Sequence, residues 1–193
     1  MLKTSRLAIA ATLFALASSA NAGFYLGAKV GSVDVDIDVD PNIDADSDIG
    51  YNLNVGYQFT KYFGIEAAYV DLGEHDYNQA ITSSFSVEGN VAVRGMDVSA
   101  IATLPLSEQF SLYGRVGYYL WEADINFRTI GSIPGLSSLS SSTNDDGGDI
   151  SFGVGASYAV SEKVDLQLGF TRYAADDIDI DADLIGLGVK FSF

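Results

Sequence analysis

From Phe24 onward the chain alternates, one residue at a time, between apolar side chains and small or polar ones. A period of two places each set on its own face of an extended strand. Ile49, Tyr51, Leu53, Val55, Tyr57 and Phe59 interleave with Gly50, Asn52, Asn54, Gly56 and Gln58. Ile185, Leu187, Val189, Phe191 and Phe193 interleave in the same way with Gly186, Gly188, Lys190 and Ser192. The pattern predicts eight strands, at about 24–33, 49–59, 65–69, 91–104, 112–120, 151–158, 164–171 and 185–193.

The connections between them alternate in length. Those near 60–63, 105–109 and 161–163 are tight, whereas 34–48, 71–90, 122–149 and 174–182 are long and polar. An even number of short amphipathic strands with this rhythm predicts an all-β fold, an eight-stranded antiparallel transmembrane β-barrel of up-and-down meander type. Within hydrocarbon every backbone N–H and C=O must find a partner inside the protein, so strands cross a membrane only as a closed sheet. Closure also removes the edge that the last strand would otherwise expose. A soluble sandwich or lipocalin-like barrel would point its apolar face inward. The Gly-rich opposite face is too bare for a soluble surface, and Trp121 with many tyrosines is expected at strand ends, at the membrane interface.

Before Phe24, Lys3 and Arg6 precede an apolar run from Leu7 to Ala17, and Ala20-Asn21-Ala22 has a small-x-small form. Residues 1–22 therefore read as a secretory signal peptide and 23–193 as one barrel domain. Losing Lys3 and Arg6 leaves 8 basic against 26 acidic residues, a formal charge of −18. Nucleic acid is excluded as a partner on that charge, and with no cysteine neither disulfides nor thiolate chemistry can contribute.

Lys29, Arg115 and Lys190 fall on the same inward face as Glu66, Asp97 and Asp165. Three cations against three carboxylates make a neutral set for a lumen that side chains fill at this strand number. The competing reading is a narrow, porin-like path for ions or small solutes. The long connections hold the other charges. Asp34, Asp36, Asp38, Asp40, Asp44, Asp46 and Asp48 fill one, and Asp176, Asp177, Asp179, Asp181 and Asp183 another. Barrel closure brings these twelve together on one side of the rim, either as solvated strand extensions or as a weak Ca2+ or Mg2+ site. They are not helix-loop-helix calcium loops, because Val39 and Ala182 stand where that loop requires Gly. Arg94 and Arg172 are expected on the outward face, reaching lipid headgroup phosphates, with a bulge turning Arg94 inward as the alternative. His75 beside Ser83 and Ser84 is too thin a constellation for histidine-serine hydrolysis, and no enzyme is expected.

Terminal Phe193, the leader and the Tyr62-Phe63-Gly64-Ile65-Glu66-Ala67-Ala68-Tyr69 stretch carry a family likeness. The chain resembles the OmpA-like outer-membrane β-barrel family of Gram-negative bacteria over nearly all of 23–193, as a barrel with no peptidoglycan-binding domain after it. That resemblance implies recognition of Ile185, Leu187, Val189, Phe191 and Phe193 by the barrel-assembly machinery. It also implies periplasmic termini, extracellular long loops, and outer-membrane lipid and lipopolysaccharide as surroundings. The expected role is structural, supporting membrane integrity. Its rivals are a surface adhesin that meets an extracellular ligand through 71–90 and 122–149, and the narrow pore.

Overall fold

The computed structural model describes residues 23–37, 48–82, 85–131, 140–175 and 180–193. Eight strands run in chain order: β1 (Gly23–Ile37), β2 (Asp48–Gln58), β3 (Phe63–Thr82), β4 (Phe85–Pro105), β5 (Phe110–Gly131), β6 (Ser140–Ala159), β7 (Val164–Ala175) and β8 (Ile180–Ser192). Each pairs antiparallel with its sequence neighbour, and β8 closes on β1. At that seam Leu26 faces Phe191, Val30 faces Leu187, and Phe193 N donates to Phe24 O at 3.1 Å. The final strand is thus an interior member of a closed sheet.

Burial alternates as the sequence pattern predicts. Leu26, Val30, Leu53, Val55, Val98, Val116, Val154, Leu168 and Leu187 stand on the outside, exposed, while Lys29, Asn52, Asp97, Ser99, Arg115, Ser151 and Thr171 are withdrawn inside. This polarity is the reverse of a soluble barrel and fits lipid outside with a packed interior. Close approach explains some of the inward glycines. A Cβ on Gly155 would lie 2.4 Å from the Tyr113 ring, and one on Gly147 2.4 Å from the Trp121 indole.

The three short connections share one construction. Thr60, Ser107 and Ser161 each precede a strand by three residues, and each hydroxyl accepts hydrogen bonds from the two backbone amides that lead into it. For Thr60 these are the amides of Tyr62 and Phe63, both at 3.1 Å. Such side-chain acceptors stand in for ladder partners where the chain reverses.

The long connections differ from expectation. β3, β4, β5 and β6 continue for 20–22 residues, deep into the stretches expected as loops at 71–90 and 122–149. Polar residues on both faces of the β3 and β6 extensions leave no amphipathic signal there, whereas on β5 Ala123, Ile125 and Phe127 still alternate with Asp124, Asn126 and Arg128, a period of two that carries the strand on. β2 accompanies β3 only as far as Tyr51↔Asp71, and β7 accompanies β6 only as far as Ser151↔Tyr173. Beyond those points a four-stranded sheet projects about 30 Å along its strands. Its outer edges, on β3 and β6, have no strand partner among the described residues. At its base β3 gains one residue between Asp71 and Glu74, where Gly73 takes a φ of 83° and Asp48 accepts the Glu74 amide at 2.8 Å.

Candidate functional site

The lumen is built in layers. Its polar half begins at the short turns, where Lys190 meets Asp165 at 2.7 Å. Further in, Tyr25 donates to Glu66 at 3.1 Å, and Arg115 stands 3.4 Å from the other Glu66 oxygen. Arg115 Nη2 also reaches Asp97 at 2.5 Å and Ser99 at 2.8 Å. Asp97 further accepts the hydroxyls of Ser99 and Ser151. All six charges named from sequence are therefore inside, but they do not pair one to one. Arg115 holds two carboxylates, while Lys29 approaches the Tyr113 hydroxyl at 3.4 Å and lies 5.7 Å from that ring's centre. Lys29, Asn54, Glu66, Tyr113 and Arg115 border a void of about 30 Å3, room for about two waters.

Above Asp97 the lumen changes character. Val33, Val70, Leu72, Tyr119, Trp121, Ala123, Tyr173, Ala182 and Leu184 form a buried apolar cluster that fills the barrel toward its long-hairpin end. The Tyr119 and Tyr173 rings pack 4.8 Å apart, and Asn52 donates to the Tyr173 hydroxyl at 3.3 Å. Trp121 belongs to this plug, not to the membrane interface: it is 2 % exposed, and its indole N–H donates to Asp149 at 3.2 Å. It lies in mid-strand because β5 runs on to Gly131. The apolar inner positions were the missed part of the site. Their signal was available in Val33, Leu72 and Leu184, which continue the inward parity of Lys29, Glu66 and Lys190.

Outside, a charged collar marks the end of the apolar belt. Tyr51, Asp71, Arg94, Glu122 and Asp146 form one cross-strand row over β2 to β6, and Arg172, Asp183 and Asp34 form another over β7, β8 and β1. Both arginines face outward and the bulge lies on β3, so Arg94 is not turned in. Each is ion-paired: Arg94 with Asp124 at 2.8 Å, and Arg172 with Asp183 at 2.5 Å and Asp181 at 3.6 Å.

The acidic runs do meet, with Asp34 opposite Asp183 and Asp36 opposite Asp181 on paired strands. Asp38, Asp40, Asp44, Asp46, Asp176, Asp177 and Asp179 lie outside the described residues, as do Ser83, Ser84 and the leader at 1–22, and Asp36 is placed by its backbone alone. Among the described residues no three His, Asp or Glu side chains converge as a metal group. His75 sits within β3, opposite Val91, instead of in a loop.

Comparison with known proteins follows this geometry. Residues 6–193 match the outer membrane protein beta-barrel domain. The chain belongs to that family. It is similar to Outer membrane protein A of Shigella flexneri, 28% identical over 206 residues, and of Salmonella typhi, 27% identical over the same length. All of this chain is covered in both cases but only 56% of each relative, so the chain spans little more than half their length. Among solved structures it is similar to Ail, the attachment invasion locus protein of Yersinia pestis, bound to the heparin analogue sucrose octasulfate. The TM-score is 0.56 at 16% identity, covering 90% of this chain and 99% of that one. Neisserial surface protein A gives 0.53 at 19% identity, covering 89% and 99%. At those identities the likeness is one of fold. The protein is a small outer-membrane β-barrel of the OmpA-like kind, in contact with outer-membrane lipid.

Proposed function

We propose that the barrel is a closed anchor that carries the β3–β6 sheet into the extracellular space for contact with a surface or another protein. Its termini and short turns would then face the periplasm. The observation that carries this reading is the sheet itself: four strands outrun their neighbours and leave two backbone edges without strand partners among the described residues. Unpaired N–H and C=O groups on a strand edge are a template for an extended partner. Glu74, Glu122, Asp145 and Asp146 on the described part of the extension favour a cationic partner. They oppose the polysulfated type of ligand that the solved Ail structure holds.

The membrane-integrity role is the second reading, supported by the unbroken apolar belt, and needs no partner at all. Conduction is disfavoured because the aromatic plug closes the polar half of the lumen. No enzymatic activity is proposed. Shortening β3–β4 and β5–β6 to the length of their neighbours tests the main reading. Adhesion of cells to host or matrix surfaces should fall with the barrel still folded. Unchanged adhesion with a leakier outer membrane in a deletion strain would favour the integrity role. Planar bilayers should stay silent, and reproducible single channels altered at Arg115 or Glu66 would restore the pore.

A further inference from the structure

The lipid-facing belt is not uniformly convex. On the outer side of β7, β8, β1 and β2 a groove of about 480 Å3 runs beside Ala28, Val30, Leu53, Leu166, Leu187 and Val189. Leu166, Val189, Ala28 and Leu53 form one cross-strand row, and Leu187, Val30 and Tyr51 form the next. Ala28 causes the dip, because its methyl group stands between the larger Val189 and Leu53.

We propose that this groove seats one acyl chain of a phospholipid from the leaflet at the short-turn end, with the lipid phosphate beside Lys61 or Lys163. The groove is continuous with the lipid-facing belt, so its surroundings are hydrocarbon, and a concavity left unfilled there forfeits dispersion contacts. A flexible chain can enter a curved slot of this size.

Charge selects the headgroup. Two of the three short turns carry lysine, and those two flank the groove: Lys61 between β2 and β3, and Lys163, with Glu162 beside it, between β6 and β7, a net charge of +1 over the two turns. The third, between β4 and β5, carries Glu108 on the far side. At the opposite end of the same strands, Asp34, Asp181 and Asp183 outnumber Arg172, which disfavours a multiply phosphorylated headgroup there. From Phe24 to Ala28 is about 13 Å along β1, within the span of one chain hung from the turns. That this leaflet is the periplasmic one rests on the orientation proposed above, whereas the groove does not.

The test uses the full barrel folded into vesicles that contain phosphatidylethanolamine, phosphatidylglycerol and lipopolysaccharide. Native mass spectrometry of the extracted protein should show one retained phospholipid. A mid-chain spin-labelled phospholipid should show a motionally restricted fraction. Ala28→Phe fills the dip and should cut that fraction by about half or more. Ala102→Phe, outward on β4, should leave it unchanged, and Lys61→Gln with Lys163→Gln should weaken retention. An unchanged fraction in Ala28→Phe, an equal loss in Ala102→Phe, retention of lipopolysaccharide alone, a dimer in place of bound lipid, or no retained phospholipid on the native protein would each overturn the proposal. None of these readouts involves adhesion, so failure here and failure of the surface-contact reading are distinguishable.

Discussion

Arg115 crosses from β5 to place Nη2 2.5 Å from the Asp97 carboxylate on β4, with the two side chains 2% and 0% exposed. No other ion pair of the described lumen is so fully removed from solvent. Its strength as a test lies in asymmetry: a buried pair contributes little net stability, but one partner left without the other is expensive. Asp97→Ala should cost about 3–5 kcal/mol, because Glu66 at 3.4 Å is a poorer substitute and Ser99 and Ser151 lose their acceptor. Asp97→Asn, which keeps an acceptor, should cost less, and Glu66→Gln least. Urea unfolding in lipid vesicles ranks the three.

Trp121 reports on the plug. Because it lies among Val33, Leu72, Ala123 and Leu184 in the lumen, its emission in the folded barrel should be blue-shifted. Acrylamide in water and brominated lipid in the membrane should both quench it poorly. An interfacial tryptophan would respond to both. Trp121→Ala should destabilise the barrel by about 3–5 kcal/mol, the range for deleting a large buried aromatic.

The three short turns should behave alike. Replacing Thr60, Ser107 or Ser161 by Ala removes the same pair of amide acceptors each time. Each single change should cost about 0.5–1.5 kcal/mol, and the three should add, since each is confined to its own turn. Refolding yields of the triple variant measured against the singles check additivity.

Arg172 bridges Asp183 and Asp181 on the half-exposed collar. Arg172→Ala should change barrel stability by no more than about 1 kcal/mol, and less still at high salt. A larger, salt-independent loss would mean that the collar holds the fold and does not merely border the membrane.

The parts of this molecule that lie in hydrocarbon were legible because membrane burial imposes a period of two with a sharp contrast between faces. Leu53, Val55 and Tyr57 against Asn52, Asn54 and Gly56 cannot be read any other way, and the inward placing of Lys29, Glu66, Asp97 and Arg115 follows from the same parity. Where both faces have the same character, the contrast vanishes. Strands 74–82 and 140–149 are polar on both sides and read as loops. At Trp121 and Leu184 the contrast reverses, with the apolar residue inward and Glu122 or Asp183 outward, so the plug is legible only by carrying the strand parity past the belt. The shared Thr60, Ser107 and Ser161 positions were visible as residues, but their equivalence needed the hydrogen bonds to be recognised.

The β1–β8 seam has the same ladder as the three hairpins and lacks only a turn, with Phe193 N held 3.1 Å from Phe24 O. Topologically the barrel is therefore a ring with one cut, and the location of that cut is a property of the gene, not of the packing. A four-residue link built like Val160-Ser161-Glu162-Lys163 across the seam, with the chain reopened at Ser107, would give a permuted barrel with every lumen contact kept. In such a chain Phe193 would lie within a hairpin, and the closing strand would still seal the sheet.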